Sequence, residues 1–226
     1  MPDQIRRTSL FDRLRMIQDE LDRRRSRLLD RRFTNSGLPE RKTLQDIDWS
    51  YNPKLPKRAL LELATLAFID AKENVLLIGR PGTGKSHAAK ALALSAVQRG
   101  FKVLYREAHT LIEEIHLARE LGEIKKYRSQ LQAAEVLIID DLFLRRLPQS
   151  AGEELADVLM SRYEKLSTIV TSNRPVEDWA TLLGDVVIVT PLLDRLMHHG
   201  HLLKFEGKSW RLKESAARLA RQHVDA

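Results

Sequence analysis

The feature that most constrains this chain is an eight-residue turn, GRPGTGKS, at residues 79–86. It follows the short apolar run Val75–Ile78. The residues after it, Lys85–Gln98, are predicted to form a helix that ends at Gly100. The turn fits the pattern G-x-x-x-x-G-K-[ST], in which glycines let successive backbone N–H groups surround phosphate oxygens. The N-terminus of the following helix presents its positive dipole end to the same oxygens. The pattern therefore predicts a strand–turn–helix unit that binds nucleotide phosphates.

Two residues of this loop have predicted chemical roles beyond binding. The Lys85 ammonium can reach the β- and γ-phosphates, and the Ser86 hydroxyl can ligate magnesium. ATP and Mg²⁺ are therefore the predicted cofactors, and Lys85 is also a predicted catalytic residue. The predicted nucleotide-binding residues are Gly79, Arg80, Pro81, Gly82, Thr83, Gly84, Lys85, Ser86 and His87.

A pair of acidic residues follows a second apolar run, Val136–Ile139. Ligands of α/β sheets bind at the carboxyl ends of the strands, so Asp140 and Asp141 are expected at the nucleotide. Asp140 is predicted to hold magnesium, directly or through water. Asp141 is predicted to orient and activate a water molecule against the γ-phosphate. The alternative is a strand that stops at a solvated acidic turn, which a complete phosphate loop upstream disfavours.

A third polar position, Asn173, directly follows the strand-like run Thr168–Ser172. Its amide can polarise the attacking water or the γ-phosphate, which makes it a candidate catalytic side chain. The residues alone leave a second interpretation open, namely an asparagine turn before Pro175.

Short apolar strands alternate with helices from residue 74 onward, which is typical of a parallel sheet covered by helices on both faces. The predicted fold class is therefore α/β, a P-loop NTPase with five parallel strands. The predicted strands are 75–78, 103–105, 136–139, 168–172 and 202–205. The predicted helices are 60–71, 85–98, 109–121, 124–132, 151–166, 176–183, 192–198 and 213–222. The run 186–189 is also strand-like, and the sequence leaves its conformation open.

A basic segment precedes this pattern. Residues 1–33 carry ten arginines against six acidic residues, over half of the chain's net charge of +7. Apolar side chains recur in it at near-heptad spacing, which predicts an amphipathic helix with turn residues at 34–37. The apolar positions are Leu10, Leu14, Ile17, Leu21 and Leu28. We therefore predict a helical segment and linker over 1–42 and an ATPase domain over 43–226.

The composition narrows the possible partners and compartments. A pI near 9.7 makes a polyanion such as nucleic acid a plausible partner. The absence of cysteine excludes disulfides, thiolate nucleophiles and cysteine-ligated metals. No apolar run approaches the roughly 20 residues that span a bilayer, and the charged start lacks a signal core. A cytoplasmic protein without membrane contact is therefore predicted. The histidines show no ligand spacing with acids and are predicted to be structural.

Taken together, these motifs resemble the initiator-type AAA+ ATPases, and within them the IstB-like transposition helper ATPases. The resemblance covers about residues 43–212, and DnaC- and DnaI-type helicase loaders share its core but match the last stretch less well. The similar stretches are TLQDIDW at 43–49, ENVLLIGRPGTGKSH at 73–87, STIVTSNRP at 167–175 and LLDRLMHHGHLLKFEGKSWRL at 192–212.

The resemblance implies further roles for single residues. Asn173 falls where such proteins have their first sensor. Arg195 falls where related ATPases present an arginine finger to the nucleotide of a neighbouring subunit, with a surface salt bridge as the alternative. DNA contacts are implied for an added helix after the second strand and predicted for the basic N-terminal helix. The candidate DNA-binding residues are Arg23, Arg24, Arg25, Lys125, Lys126 and Arg128, with a solvated helical face as the alternative for the last three.

The predicted function is that of an ATPase that assembles on duplex DNA and assists or regulates a transposase in insertion-sequence transposition. The predicted assembly is a homo-oligomer with ATP sites at its subunit interfaces. The principal alternative is a replicative helicase loader of the DnaC or DnaI type, which a helicase-binding N-terminal domain would indicate. A scaffold in which ATP merely joins subunits differs only in turnover. A small-molecule kinase is disfavoured, because it needs neither the aspartate pair nor the asparagine.

Overall fold

The computed structural model describes residues 10–144, 147, 150–183 and 186–222. Its centre is a five-stranded sheet in the order β2-β3-β4-β1-β5, with every neighbouring pair parallel. The predicted five-stranded parallel sheet is therefore confirmed. The strands are β1 Asn74–Gly79, β2 Val103–Glu107, β3 Val136–Leu142, β4 Ser167–Ser172 and β5 Gly200–Phe205.

In the described part of the chain, three α-helices come before the first strand, and the others connect or follow the strands. Two short 3-10 helices, Leu44–Asp46 and Val176–Asp178, lie in connecting segments. The α-helices are α1 Leu10–Ser36, α2 Lys57–Leu63, α3 Ala67–Asp70, α4 Lys85–Arg99, α5 Ala108–Glu120, α6 Ile124–Ala133, α7 Ala151–Arg162, α8 Trp179–Leu183, α9 Val186–His198 and α10 Trp210–Gln222.

Both faces of the sheet are buried along β1 and β3, which explains why these two strands contain continuous apolar runs. In β1, Leu76 and Ile78 belong to the core that includes buried residues of α5, α7 and α9. Val75 and Leu77 point to the opposite face and belong to the core formed with α2, α3 and α4. The strand order sets β1 and β3 on either side of β4, so their carboxyl ends meet at one edge of the sheet.

The helix predicted over 60–71 is wrong as one element, because the chain breaks between α2 and α3. Leu66 adopts a left-handed backbone (φ 67°) at the break and is buried. In a continuous helix Leu66 and Phe68 would point to nearly opposite sides. The break allows both side chains to reach the core below β1, which offsets the cost of a left-handed leucine.

Two further boundaries differ from the sequence expectation. The helix predicted over 151–166 ends at Arg162, because Tyr163 leaves the helical conformation (ψ 130°) and Glu164 is left-handed (φ 55°). The ambiguous run 186–189 is helical and forms the first turn of α9, which continues through Pro191. Val189 is fully buried there, so tertiary packing overrides the β-propensity of the valines.

The N-terminal helix is confirmed for residues 10–36, three residues beyond the predicted segment. It ends at Gly37, whose positive φ of 71° suits a residue without a side chain. A Cβ on Gly37 would lie 2.7 Å from Nη1 of Arg106, so this turn also sits closely against β2. Phe33 and Leu38 pack into the core beside α4, which anchors this end of the helix.

The rest of α1 projects its apolar stripe into solvent. Leu14, Ile17 and Leu21 are 55%, 58% and 54% exposed, and Leu28 is nearly half exposed. The domain boundary at residue 42 stays a prediction. Among the described residues, no helix is both long and apolar enough to cross a membrane.

Candidate nucleotide site

The glycine-rich loop joins the end of β1 to the start of α4. Gly82 and Gly84 both have positive φ, 77° and 102°, which glycine adopts without strain. A Cβ on Gly82 would lie 2.0 Å from the Ser209 hydroxyl oxygen, so the loop also touches the segment before α10. The loop opens onto a cleft of about 520 Å³ lined by its residues from Pro81 to His87.

Gly79 and Arg80, the first two predicted nucleotide-binding residues, line a neighbouring cavity of about 1040 Å³ instead. Their backbone is nevertheless tied to the cleft residue Lys85, because the Lys85 ammonium donates to the carbonyls of Gly79 (2.8 Å) and Arg80 (3.0 Å). The hydroxyl of Thr83 also donates to the Arg80 carbonyl at 2.8 Å. The predicted loop residues therefore form one compact unit with Lys85 folded across it.

Asp140 is fully buried between two hydroxyl groups from its neighbouring strands. The Tyr105 hydroxyl of β2 donates to one carboxylate oxygen at 2.6 Å. The Thr171 hydroxyl of β4 donates to the other. Burial, and then the nearby Asp140 carboxylate, raise the pKa of Tyr105, so this phenol stays protonated as a donor.

The neighbouring Asp141 occupies an irregular point in β3. Its backbone is left-handed (φ 54°), and the pairing of β3 with β4 shifts register between Ile139 and Leu142. This bulge directs the carboxylate into the cleft, where the Ser86 hydroxyl donates to it at 3.5 Å. Strained aspartate backbone of this kind concentrates at functional positions.

Charges inside the cleft shift one another's ionisation. Burial and the adjacent Asp140 raise the pKa of Asp141, while the Lys85 ammonium opposes that rise. Burial likewise lowers the pKa of Lys85, and the two aspartates oppose that change. Lysine and aspartate therefore stabilise each other's charged forms in a site that otherwise disfavours charge.

Asn173 lies in the same cleft, at the end of β4. Its side-chain oxygen is buried and has no hydrogen-bond partner among the described residues. A buried acceptor without a donor is costly and needs an explanation, such as a ligand or water that donates to it. The structure thus places Asn173 and Asp141 in one cavity with the loop residues from Pro81 to His87.

Several residues of this cleft were not singled out from the sequence. Tyr105 and Glu107 come from β2, and Arg211 comes from the first turn of α10. The backbone N–H of Trp210 donates to the Gly82 carbonyl at 2.8 Å, which fixes the start of α10 on the phosphate loop. The only sequence signal for Arg211 was its position in the stretch at 192–212 similar to the transposition helpers.

The outer wall of the cleft is an aromatic cluster around a lysine. The Lys213 ammonium lies 4.3 Å from the Tyr51 ring centroid and 4.2 Å from that of Trp210. It also pairs with Asp48 at 3.2 Å. The Ser50 hydroxyl, and then this lysine, lower the pKa of Asp48 to about 2. Trp49 instead packs against the core and Lys57, outside the residues that line the cleft.

Arg195 lies on α9, away from the residues that line its own chain's cleft. Its guanidinium contacts the Pro191 carbonyl at 3.4 Å and packs over the ring of Tyr163 at 5.9 Å. Among the described residues, no carboxylate lies within ion-pair distance of it, so the alternative of a salt bridge finds no support there.

The candidate DNA-binding residues fall into two groups. On α1, Arg23 and Arg25 are exposed, while Arg24 pairs with Glu20 at 2.8 Å on the same solvated face. On α6, Lys126 pairs with Glu123, and Arg128 pairs with Asp157 at 2.5 Å. The basic residues of α6 are thus partly neutralised by the chain itself, whereas those of α1 mostly face solvent.

The loop between β1 and α4, the acidic end of β3 and the sheet order together define a P-loop nucleoside triphosphatase of the AAA+ class. Comparison with known sequences identifies the family within this class to which the chain belongs. The family described as IstB-like ATP binding protein matches residues 4–218, so the chain belongs to that family. It is an ATPase associated with insertion sequences.

Two relatives are similar over most of this chain. The ATP-binding protein of insertion sequence IS5376 from Geobacillus stearothermophilus is 36% identical over 200 residues, covering 88% of this chain and 80% of the relative. The ATP-binding protein of IS21 from Pseudomonas aeruginosa is 38% identical over 198 residues, covering 88% and 75%.

Solved structures support the fold. DnaA from Aquifex aeolicus bound to AMPPCP, an ATP analogue, has a TM-score of 0.59 at 25% identity, covering 75% of this chain and 51% of DnaA. DnaI has a TM-score of 0.58 at 22% identity, covering 75% of this chain and 90% of DnaI.

Proposed function

We propose that this chain is a Mg²⁺-dependent ATPase that assembles on duplex DNA and assists or regulates a transposase. Its family and its insertion-sequence relatives support the link to transposition. The observation that carries assembly is the position of Arg195. Its guanidinium is outside its own nucleotide cleft and unpaired with any described carboxylate, so it is available to the nucleotide of a second subunit.

Within one subunit, we assign nucleotide binding to the loop from Gly79 to His87. Lys85 neutralises the β- and γ-phosphates and exchanges its carbonyl partners for phosphate oxygens. Arg211, which enters the same cleft from α10, adds a second cation on the phosphate side.

The oxygen ligands that Mg²⁺ prefers are present beside the loop, as the Ser86 hydroxyl and the Asp140 carboxylate. The ion would neutralise charge on the phosphates. Tyr105 and Thr171 hold Asp140 in one orientation, so this carboxylate can act through a bound water without moving.

Hydrolysis then needs a positioned water. We assign its activation to the Asp141 carboxylate, which the bulge in β3 turns into the cleft. The amide oxygen of Asn173, which has no hydrogen-bond partner among the described residues, can accept a hydrogen bond from the same water. Arg195 of a neighbouring subunit would offset charge that develops on the γ-phosphate, so turnover would depend on assembly.

DNA binding is assigned first to α1 and second to α6. Arg23 and Arg25 are exposed on a helix that projects from the domain, and arginine suits phosphate recognition by its planar fork of donors. Lys125 and Lys126 on α6 are exposed as well, although Lys126 forms an ion pair with Glu123.

Electron microscopy of the full chain with duplex DNA and a non-hydrolysable ATP analogue tests this function. We expect ordered oligomers on the DNA with nucleotide between subunits. The Lys85→Ala variant, which loses a phosphate contact, should not form them. Monomers scattered on DNA would contradict the proposal. In a parallel sample that also contains a replicative helicase, assembly seen only with the helicase would favour the loader alternative.

A further inference from the structure

A group of possible metal ligands lies outside the nucleotide cleft, where α7 is followed by a tight turn. Glu164 has a left-handed backbone in this turn and faces the end of α9. One donor atom each from Glu164, His198 and His199 lies within 4.8 Å of the others, and all three residues are exposed. Nothing in the sequence pattern indicated this group, because Glu164 is distant in the chain from both histidines.

The spacing between the donors of His199 and Glu164 fits an ion better than a direct hydrogen bond. Nε2 of His199 and Oε1 of Glu164 are 3.6 Å apart, beyond hydrogen-bond distance. In a tetrahedral zinc site with bonds of about 2.0–2.1 Å, neighbouring ligand atoms are roughly 3.4 Å apart. The pair is therefore separated by nearly the distance that a shared ion requires.

The surroundings orient one histidine, and the helix end attracts a cation, an attraction that the Arg195 guanidinium over the Tyr163 ring partly opposes. The Tyr163 hydroxyl lies 3.2 Å from Nδ1 of His198, so a ring nitrogen has the outer hydrogen-bond partner that metal-binding histidines usually have. The two imidazole rings are edge to face at 4.1 Å. Both histidines lie at the C-terminal end of α9, where the helix dipole favours positive charge.

We propose that Glu164, His198 and His199 form a surface site for a divalent transition-metal ion, with Zn²⁺ the preferred ion. Two imidazoles and one carboxylate suit zinc and its neighbours, whereas Mg²⁺ prefers oxygen ligands alone. Three protein ligands leave a fourth position for water or for a group from another molecule. The site is thus chemically distinct from the magnesium ligands proposed in the nucleotide cleft.

Titration of the full chain with Co²⁺ tests the site, because tetrahedral cobalt reports its ligands through visible absorption bands. Excess Mg²⁺ keeps the carboxylates of the nucleotide cleft occupied. We expect one Co²⁺ per chain, displaced by Zn²⁺ and not by further Mg²⁺. His199→Ala and Glu164→Gln should each weaken cobalt binding at least about tenfold, since each removes one of three ligands.

His201→Ala is the matched control. His201 also contacts a carboxylate, that of Glu73 at 2.8 Å, but this pair offers only two donors. The control should bind Co²⁺ like the unchanged chain. The inference is overturned if the unchanged chain shows no cobalt bands at millimolar Co²⁺, or if His199→Ala and Glu164→Gln bind as tightly as the control.

Discussion

Asp140 shows how single residues prepare the nucleotide site. Its carboxylate is buried and accepts hydrogen bonds from Tyr105 on one side and Thr171 on the other. Hydrogen bonds to a charged group contribute about 1.5–3 kcal/mol, more than neutral ones. The orientation of this carboxylate is therefore fixed by its neighbours before any ligand binds.

Tyr105→Phe should consequently change both stability and metal use. Loss of the hydroxyl leaves one oxygen of a buried carboxylate without its donor, which should cost about 1–3 kcal/mol of unfolding free energy. The variant should also need more Mg²⁺ for half-maximal ATP hydrolysis. Tyr127→Phe is the control, since Tyr127 donates to Glu114 outside the cleft. Equal Mg²⁺ requirements in the two variants would exclude a positioning role for Tyr105.

Asp141 should set the acid limit of hydrolysis. Burial and Asp140 raise the pKa of Asp141 above 3.8, the ordinary value for aspartate. On acidification this carboxylate is therefore protonated at a higher pH than an ordinary aspartate. If the ionised form activates water, the rate at saturating ATP should fall as pH falls through that raised pKa. Asp141→Asn should still bind ATP but hydrolyse it far more slowly. An unchanged rate in Asp141→Asn would remove this residue from catalysis.

At the scale of elements, α1 is unusual because only its C-terminal end packs against the core of the domain. Phe33 packs into the core, whereas Leu14, Ile17 and Leu21 remain more than half exposed. A helix with an exposed apolar stripe and exposed arginines can serve self-association or DNA binding. The charge on its polar faces favours DNA, and salt dependence separates the two roles.

The double variant Arg23→Ala and Arg25→Ala should weaken duplex binding without altering nucleotide binding. Each phosphate contact contributes about 0.9 to the slope of log K against log salt, so this slope should become shallower by up to about two. Lys54→Ala with Arg58→Ala removes the same charge from exposed positions outside α1 and should leave the slope unchanged. A slope that stays the same in both double variants would assign α1 to self-association.

At the scale of the whole molecule, the nucleotide site of one chain is incomplete in our proposal. Asp141 lies in the cleft, while Arg195 lies on another surface of the same chain. Hydrolysis would then take place between two subunits. This arrangement predicts how mixtures of two inactive variants should behave.

Arg195→Ala should bind ATP yet lose DNA-stimulated hydrolysis, and mixing it with Asp141→Asn should restore some of that activity. At a mixed interface, the intact Asp141 of one subunit meets the intact Arg195 of the other, and neither variant alone forms such a pair. The measurement is DNA-dependent phosphate release across mixing ratios. If mixed oligomers form and the response is strictly additive, Arg195 does not act in trans.

Local patterns in the sequence were sufficient for the phosphate loop, for the strand that carries Asp140 and Asp141, and for the strand that precedes Asn173. Each of these features is contiguous in the chain, and the loop geometry follows from glycines placed between an apolar strand and a helix. The break at Leu66 and the helical run 186–189 were not predictable in this way, because core packing outweighed local propensity there.

Tertiary structure alone decided which distant residues meet. The strand order places Tyr105 and Thr171 on either side of Asp140, and the path after β5 brings Arg211 into the cleft. The turn at Glu164 likewise brings its carboxylate to His199. Such pairings depend on the order of strands in the sheet and on where helices pack, and no local pattern encodes either, since the energy of packing is shared by the whole core.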